Sequence, residues 1–213
     1  QPRHSIRLTA RAWGTAGAKL AHSADAAPAP ASAAISRTEG IVKIALVSPY
    51  DYPYPGGVTT HIAHLEHWLS RSGHDVRIIA PSSSAARGAT DPKLIAIGRP
   101  TPIPAHGSIA RITLSLRLSG KVKQVLRDEA FDIVHVHEPL MPALPITVLR
   151  FSNAVNVGTF HAYADSSLAY HYGRRILKRW VRRLHGKIAV SRAATEFISQ
   201  YFPGYYNIIP NGI

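Results

Sequence analysis

No cysteine occurs among the 213 residues, so disulfide bridges and thiolate metal sites are excluded and no side chain reports the redox state of the compartment. Acidic residues are scarce as well. Asp and Glu total 12 against 25 Lys and Arg, leaving a formal charge of +13 and a pI near 10.4. Such a balance favours anionic partners, whether phosphorylated small molecules, acidic lipid surfaces or nucleic acid, and does not choose among them. Long apolar runs are missing too, since none approaches the roughly 20 residues needed to cross a bilayer. The expectation is a soluble or surface-associated protein of the cytoplasm.

Residues 1–40 have little that could bury a core. They are rich in Ala, Ser, Pro and Arg, with APAPASAA at Ala27–Ala34, and read as a disordered tail. The Arg content and the lack of acids before Asp25 also suit an organelle transit peptide, so both readings stand. The chain opens on Gln1 rather than Met, as a processed, truncated or wrongly started product would.

From Val42 onward, short apolar runs alternate with longer helical patterns, the signature of βαβ units and a mostly parallel sheet. The stretch Val42 to Gly57 (VKIALVSPYDYPYPGG) runs from a buried strand through a Pro-rich loop to two adjacent glycines. Those glycines open a helix expected from Val58 to Ser72, with Val58, Ile62, Leu65 and Leu69 inward and Gly73 as its stop. Strand, glycine turn and helix N-terminus together offer an anion backbone N–H donors and the positive end of a dipole.

Further strands are expected at Asp75–Ala80, Lys93–Ile97, Asp132–His137, Val155–Phe160, Lys187–Val190 and Tyr206–Ile209. The segment Thr101–Ser108 (TPIPAHGS) holds three turn-formers and leads into a partly helical RITLSLRLSGKVKQVLRD. Helices follow near Pro142 and Pro145, at Tyr170–Leu184, and after Ser191 as N-cap. The fold class expected is α/β, with six or seven strands in one doubly wound, mostly parallel, Rossmann-like sheet whose ligands bind beyond the C-terminal strand edge.

Three loops reach that edge: Pro49–Gly57, His137–Pro139 and Phe160–Ala162. A glycine pair alone is often only a tight turn. A dinucleotide site is disfavoured, because the loop is not G-x-G-x-x-G and the second strand ends in Ala80 and Pro81 rather than an acid for the ribose. His135 and His137 share one face of a strand and with Glu138 imitate metal ligands, but a hydrogen-bonded pair accounts for them without a third ligand. His161 ends a strand on the ligand-bearing edge, where an imidazole can grip or polarise a hydroxyl.

In order, PGGVTTHIAHLEHWLSRSGHDV, TPIPAHGSIARI, FDIVHVHEP, GTFHAYADS, IAVSRAATEFI and IIPNGI resemble the N-terminal half of a family 4 glycosyltransferase, and within that family the phosphatidylinositol mannosyltransferases. The resemblance covers Val42 to Ile213, within an expected domain of residues 41–213. It implies one of two Rossmann-like domains facing across a cleft, in a retaining enzyme that moves a hexosyl group, mannosyl or glucosyl, from a nucleotide-sugar to a lipid or other acceptor. No metal and no cofactor beyond the nucleotide-sugar co-substrate is implied.

Carried across by position, Gly56 and Gly57 pack against the donor diphosphate and His161 contacts the transferred sugar. Tyr50 and Arg111 serve the acceptor, with His137 and Glu138 in support. Thr59 stands where a glutamine would read an inositol ring, and Ser166, after Asp165, stands where a lysine would be. Both departures fall on the acceptor side and put an inositol lipid in question.

The resemblance also implies a C-terminal donor domain beyond PNGI, without which turnover is not expected. Two basic helical stretches, Arg117–Arg127 and Arg174–Lys187, can lie on an anionic membrane, here the inner face. That leaves a non-catalytic membrane- or polyanion-binding module as the alternative function. No nucleic-acid motif is present.

Overall fold

The computed structural model describes residues 40–84, 91–105, 108–115, 117–162 and 167–212, all within one compact unit, Thr38–Ile213. The expected tail lies outside the described residues except for Gly40, and so do Asp165 and Ser166.

Among the described residues, nine strands and five helices follow one another. These are β1 (Lys43–Val47), α1 (Gly57–Arg71), β2 (Asp75–Ala80), β3 (Leu94–Ala96), β4 (Thr101–Ala105), β5 (Ser108–Ile112) and α2 (Ser119–Glu129). There follow β6 (Ile133–His137), α3 (Leu144–Phe151), β7 (Val155–Phe160), α4 (Leu168–Val181), β8 (Gly186–Ala189), α5 (Arg192–Tyr201) and β9 (Asn207–Ile208). Seven strands form one sheet in the order β3-β2-β1-β6-β7-β8-β9, and every pairing in it is parallel. From β1 the chain winds outward to β3, then returns beside β1 as β6 and winds the other way. The C-terminal ends of β1 and β6 therefore flank the switch point at which such sheets open a ligand crevice.

Period-two alternation in β1 separates two cores. Ile44 and Leu46 pack with Ile62 of α1, Val76 and Ile78 on one face. Ala45 and Val47 join Val122 of α2, Val134, Val136, Val148 of α3 and Ile198 of α5 on the other. Because both faces of β1 are covered, its sequence is a continuous apolar run rather than an alternating one.

Local signals end the elements as anticipated. Gly73 sits at φ +91 just beyond α1, a conformation that glycine enters without a Cβ penalty. Ser191 Oγ accepts from Ala194 N at 3.0 Å to cap α5. Ser167 Oγ accepts from Tyr170 N at 3.2 Å to cap α4, a cap not expected from the sequence. No helix among the described residues is long and apolar enough to cross a membrane.

One segment differs from expectation. Thr101–Ala105 and Ser108–Ile112 pair antiparallel as a separate two-stranded ribbon, with Pro102 opposite Arg111 and Pro104 opposite Ile109. Two prolines at alternate positions can turn their missing donors to the unpaired side of an edge strand, so the turn-formers here tolerate a strand. Helix α2 consequently starts only at Ser119, and Arg111 belongs to a strand instead of a helix end.

Candidate active-site edge

The loop after β1 and the β4–β5 ribbon are zipped together by backbone. Tyr50 bridges Ile112 in antiparallel fashion, and Asp51 N donates to Arg111 O at 2.8 Å. Residues 61 positions apart in sequence thus line one cleft of about 630 Å³, in which Tyr50, Arg111, Gly56, Gly57 and Thr59 all take part.

The glycine pair is the informative part of that cleft. Gly56 has φ −172 and ψ 159, extended backbone open to any residue, and Gly57 is the first residue of α1. A Cβ on Gly56 would come no closer than 3.6 Å to another atom, and one on Gly57 would meet nothing within 4 Å. Neither backbone conformation nor internal packing requires glycine at either position. The absence of side chains keeps clear the approach to the first turn of α1, where no side chain caps the free N–H groups and the helix dipole favours an anion.

Around it, each side chain is held differently. Tyr50 is pushed up to about 12 by burial first and the Glu138 charge second, so it stays a neutral phenol. Arg111 lays its guanidinium 4.4 Å from the Tyr54 ring centre, and its Nε is buried without a hydrogen-bond partner. Thr59 lines the cleft, but its hydroxyl is turned onto the loop, 2.9 Å from Gly56 O and 3.1 Å from Tyr54 O. Its immediate work is to clamp the glycine turn. Asp51 is buried, and its Oδ1 accepts from Ser83 N at 2.8 Å.

A second group gathers where β6 and β7 end. His137 Nδ1 and His161 Nε2 share a hydrogen bond of 3.0 Å. His135 stacks on His137 with ring centres 4.5 Å apart, as their common strand face requires, and its Nε2 meets Thr159 Oγ1 at 2.7 Å. His61, one turn into α1 from Gly57, brings its ring centre to 5.4 Å from that of His161. Helix α1 therefore joins the glycine turn to the histidines.

Burial, then the charge of neighbouring imidazoles, lowers His135 and His161 to about 4 and His137 well below the usual range. All three are neutral at neutral pH. His61, His137 and His161 each present a ring nitrogen within 4.8 Å of the others, a donor set with the chemistry of a three-histidine metal centre.

Glu138 fixes the geometry of this group. It sits at φ +49 directly after β6, and its Oε1 accepts from His161 N at 2.7 Å and Ala162 N at 2.8 Å. The carboxylate ties the two strand ends together and sets the backbone that carries His161. Burial raises it to about 7 although the two N–H bonds oppose the shift.

The eight residues given site roles from sequence thus gather in two groups, seven on the sheet's loops and strand ends or on α1 and Arg111 on the ribbon beside them. His61 and Asp51 were not singled out. For His61 a signal existed, four residues after Gly57 on the same helix, but it lies off the apolar stripe that periodicity marks. For Asp51 none did, because its burial depends on the distant loop at Ser83.

Comparison with known proteins extends the geometry. The family model for Glycosyltransferase Family 4 matches residues 55–213. A phosphatidyl-myo-inositol mannosyltransferase of Propionibacterium freudenreichii subsp. shermanii is 35% identical over 177 residues, covering 81% of this chain and 46% of its own length. An alpha-monoglucosyldiacylglycerol synthase of Acholeplasma laidlawii is 27% identical over 191 residues, with 81% and 46% covered.

The crystal structure of a glycosyltransferase from Rickettsia africae ESF-5 superposes with a TM-score of 0.55 at 17% identity, over 82% of this chain and 44% of that one, which speaks to the fold. The chain spans about half the length of the curated relatives it matches. A family match that begins one residue before the glycine pair and runs to Ile213 reaches well past a shared sheet topology, and on that extent the chain belongs to Glycosyltransferase Family 4.

Proposed function

We propose that this chain is the acceptor-side half of a retaining glycosyltransferase that moves a hexosyl group, mannosyl or glucosyl, from a nucleotide-sugar to a lipid at the inner face of a membrane. The observation that carries the reading is the glycine pair at the N-terminus of α1, whose lack of side chains nothing among the described residues explains. The donor diphosphate rests its charge on the free N–H groups of that turn, which stabilise the phosphate as it leaves.

His161, held neutral, exchanges hydrogen bonds with a hydroxyl of the transferred sugar without placing a cation beside the reacting carbon. Its partner His137 and the Glu138 carboxylate fix the ring and backbone positions, so that little reorganisation accompanies reaction. Arg111, stacked on Tyr54 and with an unmet donor, suits an acceptor phosphate. Tyr50 closes the same cleft with a phenol that stays neutral. Thr59, its hydroxyl turned inward, offers an incoming ring less than the longer amide it replaces, in keeping with an acceptor other than an inositol lipid.

No metal takes part in this reading; His137 and His161 share one hydrogen bond, and His137 Nε2 is buried without a partner among the described residues. Names of relatives that act on lipids, a phosphatidyl-myo-inositol mannosyltransferase and an alpha-monoglucosyldiacylglycerol synthase, support the acceptor class.

The test is sugar transfer from labelled GDP-mannose and UDP-glucose to polar lipids by the full-length protein. Gly57→Val, which puts a branched side chain into the anion's approach, and His161→Ala should each lower kcat/KM by about a hundredfold or more. Transfer undiminished in both variants sinks the reading. Transfer abolished by EDTA would overturn the metal-free part alone.

A further inference from the structure

His135 and His137 on β6 lack a third ligand in the sequence, and the fold supplies a different set. His61 of α1, His137 at the end of β6 and His161 just past β7 each offer a ring nitrogen, and the three atoms lie within 4.8 Å of one another. Three separate elements thus converge on one point of the ligand-bearing edge. His135 stays outside the trio, its Nε2 meeting Thr159 Oγ1 at 2.7 Å.

The distances suit a small cation. His137 Nδ1 and His161 Nε2 stand 3.0 Å apart, near the separation of about 3.3 Å that two nitrogens take on a tetrahedral ion with bonds of about 2.0–2.1 Å. The His61 ring stands edge-on to both, with centres 5.5 Å and 5.4 Å away. It is half-buried, and among the described residues no hydrogen bond fixes it, so a turn of its side chain can close the remaining gap.

A hydrogen-bonded pair does not account for the group. The bond between His137 and His161 occupies one nitrogen of each ring, and His137 Nε2 is left without a partner among the described residues, on a fully buried side chain. Whichever tautomer His137 adopts, a donor or an acceptor is stranded in the core, a position that ordinarily marks a missing partner such as an ion. Burial keeps the three rings uncharged at neutral pH, so their lone pairs are open to a cation.

The donor set also selects the ion. Imidazole nitrogens take zinc and its late first-row neighbours, whereas magnesium and calcium want carboxylate and carbonyl oxygen. No carboxylate joins the three among the described residues. With a net charge of +13 the chain repels cations in general, so an ion held here is held by its ligands. Three protein ligands leave the fourth place of a tetrahedral ion to water or to a molecule arriving from the crevice.

We propose that His61, His137 and His161 form a site for a late first-row divalent cation, zinc foremost, whose binding engages the His161 ring and withdraws it from the transferred sugar. The metal is an inhibitor of transfer rather than a participant in it. The inhibitory half rests on the role given to His161 in a nucleotide-sugar transferase; the site itself does not.

The experiment titrates the chelator-stripped chain with Zn2+ against a chromophoric chelator, and with Co2+, whose visible absorption reports tetrahedral coordination. Three variants are compared, each melted to verify its fold: His61→Ala, His161→Ala, and the exposed pair His64→Ala with His67→Ala on the same helix. Wild type should bind one zinc per chain with a Kd of about 1 μM or tighter, undisturbed by excess Mg2+. His61→Ala and His161→Ala should each weaken binding by about a hundredfold or more, since even groups behind a ligand are worth about tenfold to a hundredfold. The exposed pair should leave binding unchanged.

No zinc bound at that affinity, binding unchanged in either trio variant, or binding lost with the exposed pair would each overturn the site. In the separate transfer assay on the full-length protein, zinc near its Kd should stop transfer and EDTA should restore it. Zinc bound as expected with transfer unaffected would uphold the site and overturn both the inhibition and the role of His161. Zinc bound with no transfer under any condition would remove the catalytic reading and leave the site standing, and transfer with no zinc bound would do the opposite.

Discussion

Glu138 shows what one residue contributes when several demands meet on it. A non-glycine residue at φ +49 is strained, and a carboxylate this deeply buried is held up near 7, yet its two bonds to His161 N and Ala162 N join the ends of β6 and β7. Glu138→Gln keeps the accepting oxygen and should leave the melting temperature near or above that of wild type at neutral pH. Glu138→Ala removes both bonds and should cost about 1–3 kcal/mol, read from urea unfolding.

The histidines set the acid limit. With folded values near 4 for His135 and His161, and well below the ordinary range for His137, against 6.5 unfolded, the unfolded chain binds protons that the folded chain refuses. Their contribution is present above about 6.5 and is lost as pH falls toward 4. Glu138, raised from 4.5 to about 7, works the other way, its contribution fading as pH rises through that window. The lowered histidines outweigh the one raised carboxyl, so near pH 5.5 unfolding should take up protons and stability should fall on acidification. Urea midpoints at a series of pH values check this, and a midpoint that rose on acidification would contradict it. Glu138→Gln should steepen the dependence.

Single elements owe their positions to close approaches that the fold imposes. In the middle of β7, a Cβ on Gly158 would lie 2.8 Å from Leu184 Cδ1 and 3.0 Å from Pro139 Cγ. The leucine end can swing aside, but the proline ring after β6 cannot easily do so. Gly158→Ala should therefore destabilise by about 1–3 kcal/mol through overpacking, measured as a lowered denaturation midpoint with an unchanged m-value. At the start of α5, Ser191→Ala removes the bond from Ala194 N and should cost about 0.5–2 kcal/mol. The ribbon β4–β5 illustrates the converse, an element that local preference opposes. Pro102 and Pro104 read as turn-formers, and only pairing with Ser108–Ile112 makes strands of them.

At the scale of the molecule, both hydrophobic cores are built on the two faces of one continuous sheet, so neither can be lost without exposing the other. Thermal unfolding of the described unit should be a single cooperative transition, with calorimetric and van't Hoff enthalpies in a ratio near one. Two resolved transitions would show the clusters to be independent. The same sheet decides where chemistry can occur, because its winding reverses between β1 and β6, and the glycine turn and Glu138 follow those two strands directly.

Most of this architecture was legible in the residues. Apolar runs such as Ile44–Val47 and the periodic Val58, Ile62, Leu65 and Leu69 determine strand and helix through burial alone. Gly73 and Ser191 mark boundaries by backbone freedom and capping, which are local properties and need no partner. The sequence by itself also determined the candidate edge, since in a parallel sheet the loops after the strands must share one side.

Tertiary structure alone decided the rest. The ribbon that brings Arg111 to Tyr50, the union of His61 with His137 and His161, and the buried place of Asp51 all depend on which distant side chains lie alongside. A pattern of three- or four-residue periodicity tells that a helix has two faces. What each face meets is settled only when the whole chain has closed around it.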